Sequence, residues 1–238
     1  MACTDQTVQG LLSGSINELN DSLKMQHQTI ENTLELTGHV VYADTMEQLI
    51  DIHLPYINLA LYPREVPQQL NDFIIGLDLD KFPSIHGNLN CHEIHTLLKS
   101  SLRNITTDIE GLNLFIEDIK IISEHFSAIT GTKFIRFNLY TVESNLCKYF
   151  HADYNNLRLL CTYRGEGTQW LLNEDATSSS GRRLDNIIDR DRIQRFETFW
   201  VGVLKGEAYK NNKGNGIIHR SPPVGKKSAK RILLKLDA

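Results

Sequence analysis

The chain has 238 residues, of which 41% are hydrophobic and 23% charged, with a formal net charge of −4. This composition supports a substantial apolar core, and the negative balance weighs against a general nucleic-acid binder, which needs surplus Lys and Arg to meet phosphates. No apolar run is long enough to span a bilayer, and the start, MACTDQTVQG, lacks the basic and apolar segments of a signal peptide, so a cytoplasmic protein without membrane attachment is expected.

Residues 15–36 place Ile16, Leu19, Leu23, Ile30 and Leu34 near helical spacing and end close to Gly38. Asp44 or Thr45 is a candidate cap for a second helix, with Glu47 and Gln48 placed for a capping box, and Pro55 should stop it. The apolar segment INLALY follows and is broken by Pro63 and Pro67. Residues 66–77 and 89–103 read as two further helices. The strongest stripe lies within 107–128, where Ile109, Leu112, Phe115, Ile116, Ile119, Ile122 and Phe126 share one face and Gly131 can end the helix.

From Lys133 the period changes. KFIRFNLYTV, CKYFHADY, LRLLCTYRG, TQWLL, FWVGVLKG, NGIIHRS and RILLKLD read as short strands separated by turn residues. Residues 177–183 are the most loop-like, and 182–199 suit a helical insertion or a long loop. The expected fold is α+β. A mainly helical region at 1–131 would pack on a double-stranded β-helix, a jelly-roll or cupin-like metal-binding core, at 132–238.

Side chains two apart on a strand share a face, so His151 and Asp153 in FHADY should point together. His219, before the Pro222-Pro223 turn, sits late enough for its strand to return beside them. One carboxylate and two imidazoles make the facial triad that suits non-haem Fe(II) and leaves positions open. Cys91, His92 and His95 form a weaker cluster without a second ligand pair at zinc-like spacing, better suited to a polar helix face. The cysteines Cys3, Cys91, Cys147 and Cys161 form no CxxC pair and are expected as free thiols. Basic residues dominate from Lys205 to Lys235, as a solvated surface or as the site of a small anion.

His151-Ala152-Asp153, the distal His219 and Arg231 in RILLKLD resemble the Fe(II)/2-oxoglutarate-dependent oxygenase superfamily over about the C-terminal 105 residues. The stretch CKYFHADYNNLRLLCTYRGEGTQWL with HRSPP and RILLKLD also resembles a bacterial family that carries only a domain-of-unknown-function label. The resemblance implies a hydroxylase-type dioxygenase with Fe(II) held by His151, Asp153 and His219. It also implies 2-oxoglutarate as co-substrate, its distal carboxylate held by Arg231. A guanidinium meets a carboxylate through two parallel hydrogen bonds, which suits that role, whereas a structural ion pair would equally explain a buried Arg231.

Arg136, Asn138 and Tyr140 share one strand face, and Phe137 and Leu139 the other. With the polar face inward, Tyr140, Asn138 and Thr162 join the co-substrate site, and Arg158 and Arg136 are placed for a substrate. With it outward, Arg136, Asn138 and Tyr140 are merely solvated. Arg158, five positions after Asp153, also suits an ion pair beside the metal. Gly165 and Gly167 suggest a tight hairpin, and Trp170 a core position. The helical first half would supply a lid, a substrate wall or a homodimer surface, and the substrate is a small molecule or a protein. The competing reading is a cupin-like metal-binding protein, or a metalloenzyme that does not use 2-oxoglutarate. Arg231 facing the metal cavity would favour the oxygenase.

Overall fold

The computed structural model describes residues 38–143, 147, 149–176, 190–222 and 230–238. The helix expected at 15–36 and the loop at 177–183 lie outside the described residues. In chain order the strands are β1 (Val40–Tyr42), β2 (Leu59–Tyr62), β3 (Ile85–Asn90), β4 (Phe134–Val142), β5 (Leu157–Arg164), β6 (Gln169–Trp170), β7 (Gln194–Arg195), β8 (Val201–Lys205), β9 (His219–Arg220) and β10 (Arg231–Asp237). The α-helices are α1 (Gln68–Gly76), α2 (Cys91–Leu102) and α3 (Ile109–Thr130), with 3₁₀ helices at Glu47–His53 and Arg190–Arg192.

The helices form where side chains satisfy their free backbone ends. Asp108 accepts from the Gly111 N–H at 2.9 Å at the start of α3, and Gly131, at φ 65°, closes it in the left-handed conformation. Asn90 and Glu93 make a reciprocal capping box on α2. The helix expected after Asp44 is a 3₁₀ helix without a side-chain cap; instead Gln48 reaches back to the N–H groups of Asp44 and Thr45. Residues 190–195 of the expected insertion form a 3₁₀ turn and strand β7.

Seven strands make one sheet in the order β1-β2-β8-β5-β10-β4-β3, antiparallel except for the β1–β2 pair. Three of these strands precede residue 131, so the first half interleaves strand and helix and contributes to the same sheet as the second half. The apolar INLALY segment is β2, because Leu59, Ala60 and Leu61 are all buried and need cover on both sides. The chain's last strand, β10, lies between β5 and β4, with six of its seven residues buried.

One face of this sheet packs on the helices. Phe115 of α3 meets Tyr163 of β5 edge-on, with ring centroids 4.8 Å apart. A largely buried ion pair ties the same layer. Arg64 donates to both carboxylate oxygens of Asp118 at 2.6 and 2.8 Å, and the Tyr163 hydroxyl donates to Asp118 at 2.6 Å. The opposite face carries Leu59, Leu61, Val142, Leu160, Leu204 and Leu233. It packs against Trp170, Phe196 and Ile217 of, or next to, a second sheet ordered β7-β6-β9. The molecule is thus an α+β protein with a large, mainly antiparallel sheet sandwiched between helices and a small sheet.

Candidate metal centre

Strand β9 lies between β6 and a single bridge to His151. His151 and His219 exchange both backbone N–H···O bonds at 3.0 Å, and Trp170 is the register partner of His219 on the other side. Residues directly opposite on antiparallel strands share a face, so Trp170, His219 and His151 form one row. Each imidazole is fixed through Nδ1, His151 to the Tyr149 carbonyl at 2.9 Å and His219 to the Ile217 carbonyl at 3.1 Å. A carbonyl only accepts, so Nδ1 carries the proton and Nε2 keeps its lone pair for a ligand.

Asp153 is not on a strand with His151, as alternation suggested; the extended structure ends at the His151 bridge. A turn brings Asp153 in instead. That turn is pinned to the end of β8 by Glu207 N–H to the Asp153 carbonyl at 2.8 Å and Gly206 N–H to the Asn156 carbonyl at 3.0 Å. A Cβ on Gly206 would run into Asn155, so only glycine lets β8 approach. Asp153 Oδ1 lies 3.4 Å from His151 Nε2, and Oδ2 lies 3.1 Å from His219 Nε2. Ligand atoms of the three residues lie within 4.8 Å of one another, and among the described residues no other group of three or more His, Cys, Asp or Glu converges in this way. Cys91 is buried and donates to the Ser123 carbonyl, away from any such set.

The carboxylate is held by charge. Arg158 Nη1 donates to Asp153, and Arg158 Nε donates to Asp237 at 2.6 Å. Arg158 and Asp237 are register partners across β5 and β10. Burial pushes the Asp153 carboxyl up, but its close contacts with the two imidazoles and the charge of Arg158 outweigh it. They leave the group well below the usual carboxylate range. Arg158 is therefore engaged beside the His-Asp-His cluster. Asp237 supports it, and no motif in the sequence points to that residue; only the cross-strand register reveals the pairing.

Arg231 begins β10 on the same face as Leu233 and Asp237. It is 3% exposed and makes no ion pair among the described residues. Nη1 donates to the Glu166 carbonyl at 2.8 Å and Nη2 to Ser221 Oγ at 3.3 Å, while Nε has no acceptor among the described residues. Burial pulls the guanidinium down from its ordinary value. Gly165, at φ 88°, makes room for the side chain, since a Cβ there would lie 2.6 Å from Arg231 Cγ. By register, Arg136, Asn138 and Tyr140 share the face of Leu233 and Lys235. Tyr140 packs half-buried against the inter-sheet core, Asn138 is half-buried, Arg136 is exposed and Thr162 is buried.

These features define an α+β protein with a His-Asp-His cluster on its small sheet and the adjoining turn. Residues 43–237 match the family described as "Protein of unknown function (DUF1826)", and the chain belongs to that family. No curated protein matches the chain. Among solved structures it is similar to dioxygenase for auxin oxidation 1 from Arabidopsis thaliana in complex with 2-oxoglutarate. There the identity is 9%, 83% of this chain and 91% of that one are covered, and the TM-score is 0.45. It is also similar to the rice dioxygenase for auxin oxidation, at 12% identity, 83% and 81% coverage and TM-score 0.44. A prolyl-4-hydroxylase from Pseudomonas putida matches at 8% identity, 81% and 97% coverage and TM-score 0.41. At these values the likenesses assign no activity to this chain.

Proposed function

We propose that the protein is a hydroxylase-type oxygenase that uses Fe(II) and 2-oxoglutarate, built on a jelly-roll-like pair of facing sheets. The observation that carries this reading is the buried guanidinium of Arg231, which has no carboxylate partner among the described residues and touches Ser221, two residues after His219. A buried guanidinium with no carboxylate paired to it is costly, and a ligand carboxylate that accepts from its free Nε would compensate it. The donor set fits the metal as well: two neutral imidazoles and one carboxylate, with Nε2 and Oδ atoms converging.

When bound, Fe(II) and 2-oxoglutarate supply, with dioxygen, the oxidising power to hydroxylate a substrate. The chain's own residues do the rest. His151, Asp153 and His219 hold the metal, Arg158 and Asp237 keep Asp153 ionised and aimed, and Arg231 orients the co-substrate. Tyr140, Asn138 and Thr162 share its sheet face and would line the co-substrate site, and the exposed Arg136 would meet a small-molecule or protein substrate. Metal binding alone, as in a cupin-like metal protein, leaves the uncompensated Arg231 without a purpose.

Anaerobic addition of 2-oxoglutarate to the Fe(II)-loaded protein tests this. The expected result is the weak visible charge-transfer band of a chelated co-substrate, lost in His219→Ala with the iron and lost in Arg231→Met with iron retained. Iron binding without a band in the wild type would contradict the proposal.

A further inference from the structure

Two buried donors between the sheets have no acceptor among the described residues: Nε of Arg231 and the indole Nε1 of Trp170. Trp170 is 2% exposed, and an unmade buried donor is costly, so buried indoles ordinarily find a partner. Trp170 shares the row of His219 and His151, and it belongs to the same buried cluster as Val142 and Leu233. Those two residues flank Arg231. Val142 is its cross-strand partner, and Leu233 follows it on the same face of β10. Both orphan donors therefore border one inter-sheet space, with Arg231 on the large sheet and Trp170 on the small one beside a metal ligand.

We propose that the Trp170 Nε1–H donates a hydrogen bond to a carboxylate oxygen of the dicarboxylate co-substrate that Arg231 holds, making Trp170 a further binding residue. This rests on the co-substrate role proposed for Arg231. The guanidinium supplies charge from one sheet, and the indole supplies a neutral donor from the other. Their combined geometry selects a planar carboxylate that reaches both. A phenylalanine at 170 would fill much the same volume without the donor.

The chain has two tryptophans, which makes the test direct. Protein labelled with ¹⁵N at the indoles and loaded with diamagnetic Zn(II) is titrated with 2-oxoglutarate. The Trp170 indole proton is expected to move downfield and exchange more slowly, while the Trp200 indole, edge-on to Tyr42, stays in place. Trp170→Phe should weaken 2-oxoglutarate binding about tenfold, the scale of one hydrogen bond, with Zn(II) content unchanged, and Arg231→Met should abolish binding. If Arg231→Met abolishes binding while the Trp170 resonance and the Trp170→Phe affinity do not move, the role of Trp170 is overturned and the co-substrate reading stands. If the wild type binds no 2-oxoglutarate, both fall. The wild-type resonance decides between these outcomes even if Trp170→Phe does not fold.

Discussion

Asp237 reaches the His-Asp-His cluster through one intermediary. It holds Arg158, which holds Asp153, and residues that orient a ligand typically matter 10–100-fold for metal affinity. Asp237→Asn is therefore expected to weaken Zn(II) or Fe(II) binding by about that factor in a chelator competition; unchanged affinity would show that Arg158 needs no partner. Lys205 couples burial to pH. It is buried on β8, donates to the Leu54 carbonyl at 2.8 Å and lies over the Tyr209 ring, and burial pulls its ammonium down to about 8. The unfolded chain, with an ordinary lysine near 10.5, binds the extra proton between those values. Stability contributed at this site accordingly rises with pH from about 8 to 10, by at most about 1.4 kcal/mol per pH unit. Urea unfolding should show that rise in the wild type relative to Lys205→Met, and parallel pH profiles would refute it.

Among the elements, the helices at 68–76, 91–102 and 109–130 are legible in the sequence because apolar spacing and, for the last, the Gly131 stop are local signals, whereas the Asn90 and Asp108 caps emerge only from the structure. Strands β4, β5, β8 and β10 are legible from alternation and β-branched runs for the same reason. Non-local features are not. Strands β1–β3 are short, and their pairing partners lie up to 145 residues away, as Leu59 with Leu204 shows. The His151–Asp153 pair is legible as a motif, but the strand alternation that seemed to join the two residues is not what joins them, because a turn held by Gly206 does that work. Arg158 is visible as a charge near Asp153, but its engagement by Asp237 depends on β10 entering the sheet beside β5. The packing of these elements has measurable consequences. Asp118→Ala leaves Arg64 buried and uncompensated between α3 and the sheet, and should cost about 3–5 kcal/mol in chemical denaturation. A loss below about 1 kcal/mol, the scale of an exposed pair, would mean that solvent reaches Arg64. Gly206→Val should displace the turn bearing Asp153 and reduce metal affinity more than it alters far-ultraviolet circular dichroism; equal loss of both would mark a general folding defect.

At the scale of the molecule, the helical layer and the small sheet enclose opposite faces of one large sheet, and the candidate site lies on the side away from the helices. That arrangement puts the His-Asp-His cluster on the small sheet and its adjoining turn, and the buried Arg231 on the large one, so a bound dicarboxylate would bridge the two. Among the described residues no helix is long and apolar enough to cross a membrane. The places where metal and co-substrate bind are decisive. Crystals grown anaerobically with Fe(II) and 2-oxoglutarate, measured at the iron absorption edge, reveal them most directly. The predicted result is one anomalous peak among His151 Nε2, Asp153 Oδ and His219 Nε2, with co-substrate density ending at Arg231. A peak elsewhere, or a co-substrate that leaves Arg231 unpaired, would contradict it.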